Sequence, residues 1–183
     1  MASKMISLII LILLMPVLLI ISILIWIVDG GPIIFKQKRI GIDNSDFIIY
    51  KFRTMKNGID DIPTHLLKDT KNLYIKCGYF MRKYSLDELP QLLNIVKGDI
   101  VFVGPRPALH NQYDLIELRS KANIHLLMPG ITGWSQINGR DNLTIDQKVE
   151  LDQYYLKHKS FLLNFIIIIK TFTQLIKPKG ISH

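Results

Sequence analysis

"MISLIILILLMPVLLIISILIWIV", Met5–Val28, contains no charged residue. As one helix it would reach roughly 36 Å, enough to cross the hydrocarbon of a bilayer. It is too long for a typical signal-peptide core, and no small-x-small cleavage site follows in "WIVDGGPIIFKQK". We read it as a membrane segment, with Trp26 as an interfacial anchor. Pro16 falls at its middle, in "ILLMPVLLI". A proline there removes one backbone donor and presses on the carbonyl four residues back. The run either spans as a kinked helix or breaks at Pro16 and returns to the face it entered. We take the second, re-entrant form as the expectation.

Outward from this run the chain turns basic. Lys4 precedes it, and the rest of the chain carries 22 Lys and Arg against 15 Asp and Glu. A basic surface beside an apolar segment suits anionic lipid headgroups, phosphorylated ligands or nucleic acid. Cys77 is the only cysteine, so there is no disulfide framework and no cysteine-rich zinc site. The five histidines lack zinc-ligand spacing, and the phosphate-binding and dinucleotide glycine motifs are missing. The aromatic residues do not alternate with basic ones as an RNA-stacking platform requires, so nucleic acid is not an expected partner.

The remaining residues predict a mixed fold, mainly α with a short β-hairpin. "PIIFKQKRIG" and "DFIIYKFRTM" flank the turn-like "IDNS" and predict a hairpin of 33–39 with 46–53. From Lys56 to Lys76 the chain reads as a loop with one short helix. "GYFMRKYSLDELPQLLNIVKGD" predicts one or two helices ended by Gly98. "VFVGPRPALHNQ" predicts an extended piece and a proline-bounded turn, followed by a helical stretch at 110–123. "MPGITGWSQINGRDN" reads as loop. "TIDQKVELDQYYLKH" predicts a helix capped by Thr144. "SFLLNFIIIIKTFTQLIK" predicts an apolar helix too short to span, lying in a core or at the membrane interface. The division expected is a membrane helix at 1–30 and one further domain at 31–183.

Within "SLDELPQL" two carboxylates stand side by side at Asp87 and Glu88. Ser85 and Glu88 have the spacing of a capping box. That register puts Pro90 deep in the first turn. If Asp87 is the N-cap instead, Pro90 needs no intrahelical donor, and Asp87 sits at a helix N-terminus that favours phosphate. Four arginines add to this: Arg53 ending the second hairpin strand, Arg82, Arg106 between two prolines in "GPRP", and Arg140 in "NGRD". Each alone reads as a solvated cation. An arginine in a rigid turn also has the fork geometry of a bidentate phosphate clamp.

The stretches "GPIIFKQKRIG", "YKFRTM", "RKYSLDELPQLLNIVKGD", "VGPRP" and "PGITGWSQINGRD" occur in that order. With them the chain resembles the bacterial sugar transferases, small monotopic polyprenol-phosphate phosphoglycosyl transferases that initiate surface-glycan assembly. The resemblance implies transfer of a sugar-1-phosphate from a UDP-sugar to polyprenyl phosphate, with release of UMP. It implies that Asp87 is the nucleophile of a covalent phosphosugar intermediate, with Glu88 assisting. It implies Mg²⁺ at the Asp87 carboxylate and the diphosphate, and phosphate binding by Arg82, Arg106, Arg140 and Arg53. The small catalytic domain, with interfacial helices, would lie on the cytoplasmic face of the bacterial inner membrane. The sugar is expected to be an N-acetylated hexosamine. Where the family usually opens with a Lys-Arg pair, this chain has only Lys4, and Met15 replaces the usual Ser before the membrane proline. A membrane-anchored basic module that binds anionic lipid or nucleic acid without catalysis is the competing class, and it would tolerate loss of Asp87.

Overall fold

The computed structural model describes residues 2–56, 70–139 and 142–176. It divides into two compact units, Met1–Gln37 with Ile49–Lys97, and Lys38–Ile48 with Gly98–Ile181. The architecture is mainly helical with two small sheets.

The first unit is built on α1, Ala2–Asp29. The helix continues through Pro16, so the break expected there is not observed. A proline costs one bond and bends a helix, but does not end one whose flanks are otherwise held. Here the flanks are held from outside. Near the start, Lys4 Nζ donates to the Lys97 carbonyl at 3.0 Å and Ser7 Oγ to the Leu92 carbonyl at 2.9 Å. Further along, Ile21 and Ile25 are buried with Phe52, Ile75 and Met81, and Leu18 packs against the same group. Leu18, Ile21 and Ile25 share one helical face, and each buried isoleucine contributes about 1.5–3 kcal/mol. Most other large side chains of α1 are exposed, from Met5 to Ile27. A continuous apolar surface of that length is suited to lipid rather than water.

The expected hairpin is present as β1, Ile34–Ile40, and β2, Asp46–Phe52. Its turn takes left-handed backbone at Asp43 and Asn44, closed by Gly41 N–H to the Ser45 carbonyl at 2.7 Å. Asp and Asn tolerate that conformation because their short polar side chains bond locally. After β2, helix α2 spans Gly78–Lys83, a 3₁₀ turn spans Leu86–Gln91, and α3 spans Leu92–Lys97. Gly98 follows at φ 97° and ends the helix, as its position in the sequence suggested.

The second unit holds a parallel pair, β3 at Val101–Val103 and β4 at Gly130–Thr132, with Val101 opposite Gly130 and Val103 opposite Thr132. Around it stand α4 Tyr113–Lys121, α5 Trp134–Ile137, α6 Ile145–His158 and α7 Phe161–Ile176. Val103, Ile137, Tyr155 and Ile167 form its buried cluster. Strand β4 and helix α5 correct the expectation of a loop at 128–142. Three-residue elements are too short for periodicity, and β4 is fixed by a partner far away in sequence. Thr144 caps α6 as expected: its hydroxyl accepts from Gln147 N–H, and Gln147 Oε1 accepts from Thr144 N–H at 2.9 Å. Helix α7 buries Ile167 and leaves Phe161, Phe165, Ile169 and Phe172 exposed along one stripe, the shape of a helix that lies on a membrane surface.

Candidate active site

The carboxylate pair lies in the 3₁₀ turn of the first unit. Ser85 precedes it in left-handed backbone, φ 53° and ψ 26°, and its side chain makes no cap bond. Both expected registers are therefore corrected. Ser85 is not the serine of a capping box, and Asp87 is the second residue of the turn rather than its N-cap. Pro90 decides this locally. It cannot donate, so the tighter 3₁₀ winding carries the chain past it before α3 begins at Leu92. Three residues per turn puts Leu86 and Leu89 on one side, and both pack against the cluster of Ile21, Ile25 and Phe52. That packing fixes the orientation of the residues between them.

Asp87 is 8% exposed. Glu88 accepts from Lys51 Nζ at 2.8 Å, with both side chains largely buried. Lys51, in "YKFRTM", was not singled out from the sequence. Its signal was a cation within the apolar and aromatic run of 47–52. Gln91 and Asn94, which follow in the chain, are also buried, and Asn94 Oδ1 accepts from Tyr50 N–H at 3.0 Å. Arg82, in the last turn of α2, lies 5.6 Å from the Tyr74 ring centroid and directs Nη1 at Met55 Sδ at 3.4 Å. Arg53 is buried. It donates to the Gly31 carbonyl at 2.6 Å and pairs with the Asp29 carboxylate at 2.7 Å, fastening the chain where it leaves α1. The first unit thus contains Asp87, Glu88, Lys51, Arg82 and Arg53.

Arg106 belongs to the second unit, where it lines a cleft together with Asn44, His125 and Arg119. Its backbone is bound on all sides. The Pro105 carbonyl accepts from Gly130 N–H at 2.9 Å and the Ala108 carbonyl from Ile40 N–H at 3.0 Å. The Pro107 carbonyl accepts from Arg39 Nη1 at 3.1 Å and the Arg106 carbonyl from Arg119 Nη1 at 2.7 Å. Gly104 and Gly130 let two chains meet here, since a Cβ on either would collide with backbone of the other segment. "GPRP" is therefore the rigid turn that its prolines suggested. Arg140 lies outside the described residues.

Among the described residues no cluster of three or more His, Cys, Asp or Glu forms a metal cage. Mg²⁺ does not require one, because it is commonly held by one or two carboxylates together with substrate phosphates. The buried Asp87 carboxylate fits that mode as a single protein ligand. Burial raises the Cys77 thiol above its ordinary pKa, with the Asp29 charge adding to the shift, so this cysteine is a poor nucleophile.

The bacterial sugar transferase family matches residues 1–178. The chain is 44% identical over 154 residues to the uncharacterized sugar transferase EpsL of Bacillus subtilis, covering 84% of this chain and 75% of that one. It is 34% identical to the UDP-N-acetylgalactosamine-undecaprenyl-phosphate N-acetylgalactosaminephosphotransferase of Aeromonas hydrophila, covering 90% of this chain and 40% of that one. It is 36% identical to the UDP-glucose:undecaprenyl-phosphate glucose-1-phosphate transferase of Escherichia coli, covering 88% of this chain and 36% of that one. On the extent of these matches the chain belongs to the bacterial sugar transferase family.

Proposed function

We propose that the protein transfers a sugar-1-phosphate from a UDP-sugar to polyprenyl phosphate and releases UMP. The observation that carries this is the buried Asp87, next in sequence to the ion-paired Glu88, in a turn packed on the apolar helix. An Asp87 oxygen attacks the β-phosphorus of the UDP-sugar. The bond from that phosphorus to the UMP oxygen breaks, and UMP leaves with the electron pair. A polyprenyl phosphate oxygen then attacks the same phosphorus, and the Asp87 carboxylate is regenerated. Lys51 holds Glu88 in place, and Glu88 orients the incoming groups. Arg82, Arg106 and Arg140 bind the phosphates, where fixed cations stabilise charge that develops during phosphoryl transfer. Arg53 is a further phosphate ligand in this reading, and its bonds to Gly31 and Asp29 also fix the end of α1. Mg²⁺, when bound at the Asp87 carboxylate and diphosphate, supplies further charge neutralisation.

The substrate lipid suits a chain whose helix α1 exposes an apolar surface. We place α1 in the cytoplasmic leaflet of the inner membrane without crossing it. Both of its ends, through Lys4 and Asp29, are bonded within one folded unit. A crossing helix would draw Lys97 and the polar residues beside it into hydrocarbon, at a cost of several kcal/mol for each unsatisfied group. The sugar is an N-acetylated hexosamine in this reading. UMP release across a panel of UDP-N-acetylglucosamine, UDP-N-acetylgalactosamine, UDP-glucose and UDP-galactose tests the proposal. Release with none of them in the presence of polyprenyl phosphate and Mg²⁺, or equal release by Asp87→Asn, overturns it.

A further inference from the structure

Helix α6 grips the "GPRP" segment at two points. Tyr155 Oη lies 3.1 Å from the Val103 carbonyl, just before the turn. One turn earlier, Asp152 is fully buried and accepts from Arg119 Nε at 3.1 Å and Nη2 at 2.5 Å. Ser135 Oγ donates to the other Asp152 oxygen at 2.8 Å. The remaining Arg119 nitrogen, Nη1, donates to the carbonyl of Arg106 itself. One guanidinium thus spans the gap between a buried carboxylate and the backbone of the arginine in the turn.

A buried ion pair is weak evidence for stability, because well-packed apolar residues in its place are often as stable. What such a pair supplies is geometry. The planar fork of Arg119 can satisfy Asp152 and the Arg106 carbonyl together, whereas an ammonium at one point cannot. Both prolines beside Arg106 lack N–H groups, so the carbonyls are the main handles by which this turn is held. We infer that Ser135, Asp152 and Arg119 form a positioning relay that sets the backbone of Arg106, and so the direction of its guanidinium, for the transfer step. This rests on the reading of Arg106 as a phosphate-binding residue. None of the three relay residues has to touch substrate.

The test is a double-mutant cycle on kcat/KM for UMP release, with thermal unfolding measured on the same proteins in detergent or nanodiscs. Arg106→Lys is expected to lower kcat/KM by about tenfold, and Arg119→Lys by a similar factor. If Arg119 acts through Arg106, the double variant falls by about tenfold rather than a hundredfold, because groups acting as a unit are non-additive. Ser135→Ala, a milder change, is expected to lower the rate about two- to fivefold in the wild-type background and to have no effect beside Arg106→Lys. It keeps the test open if Arg119→Lys folds poorly. Multiplicative losses in both cycles would make the relay merely structural and overturn the inference. So would near-native activity of Arg119→Lys and Ser135→Ala. Near-native activity of Arg106→Lys alone would instead overturn the phosphate-binding reading of Arg106, and the positioning role would fall with it.

Discussion

Lys51→Met leaves Glu88 without its 2.8 Å ion-pair partner in a site where the two side chains are only 13% and 12% exposed. Were this pair on the surface, its loss would matter by about 0–1 kcal/mol. Breaking a fully buried pair costs about 3–5 kcal/mol, because the partner stays behind as an unpaired charge. The residual exposure here places the expected loss near 2–3 kcal/mol. For a chain of this length, that lowers the unfolding midpoint by about 4–12 °C. Glu88→Gln should destabilise in the same direction, since it removes the charge that faces the Lys51 ammonium. The double variant Lys51→Met/Glu88→Gln should be less destabilised than the sum of the two, because both changes remove the same ion pair. Tryptophan fluorescence during heating, in detergent micelles, reads the midpoint, and UMP release reads activity. All three variants should lose activity, including the double variant. A Lys51→Met midpoint within about 1 °C of wild type would refute the assignment of this pair as a buried, mutually dependent unit. A double variant with strictly additive destabilisation would also refute it.

Thr144→Ala removes the hydroxyl that caps α6 and should cost about 1 kcal/mol, read by chemical or thermal unfolding. Gly130→Ala drives a Cβ into the backbone of Gly104 and should cost about 3 kcal/mol or more, enough to abolish recovery of folded protein. Cys77, its thiol raised by burial, should alkylate slowly near pH 7 and faster as the pH rises to about 9 and beyond; brisk labelling at neutral pH would contradict its burial. In a Cys77→Ser background carrying Ser3→Cys, a membrane-impermeant thiol reagent should leave intact cells unlabelled and react only once they are opened. Labelling from outside would show that α1 crosses.

Local signals carried well where short-range physics decides. The hairpin turn, the Thr144 cap and the stop at Gly98 each rest on residues within one turn of the feature they determine. The apolar run of "SFLLNFIIIIKTFTQLIK" likewise located α7. The sequence misled where a distant partner decides. Strand β4 exists because β3 lies beside it, and α5 because Gly133 can approach the Gly104 carbonyl. Pro16 was expected to break α1, yet contacts from Lys97, Leu92 and Arg53 hold the helix on both sides of it. Asp87 and Glu88 were legible as a pair, but their 3₁₀ setting was not, since it follows from Pro90 together with the packing of Leu86 and Leu89. Lys51 and the Arg119–Asp152 pair were missed. Asp152 had a readable signal, an acid on the same helical face as Tyr155, three residues on.

Intact-mass spectrometry of the protein mixed with a UDP-sugar and Mg²⁺, without lipid acceptor, addresses the chemistry most directly. UMP should be released and the protein should become heavier by one sugar phosphate less water, with the adduct mapping to Asp87 and absent from Asp87→Asn. Unmodified protein under single-turnover conditions, with UMP appearing only once polyprenyl phosphate is added, would contradict it.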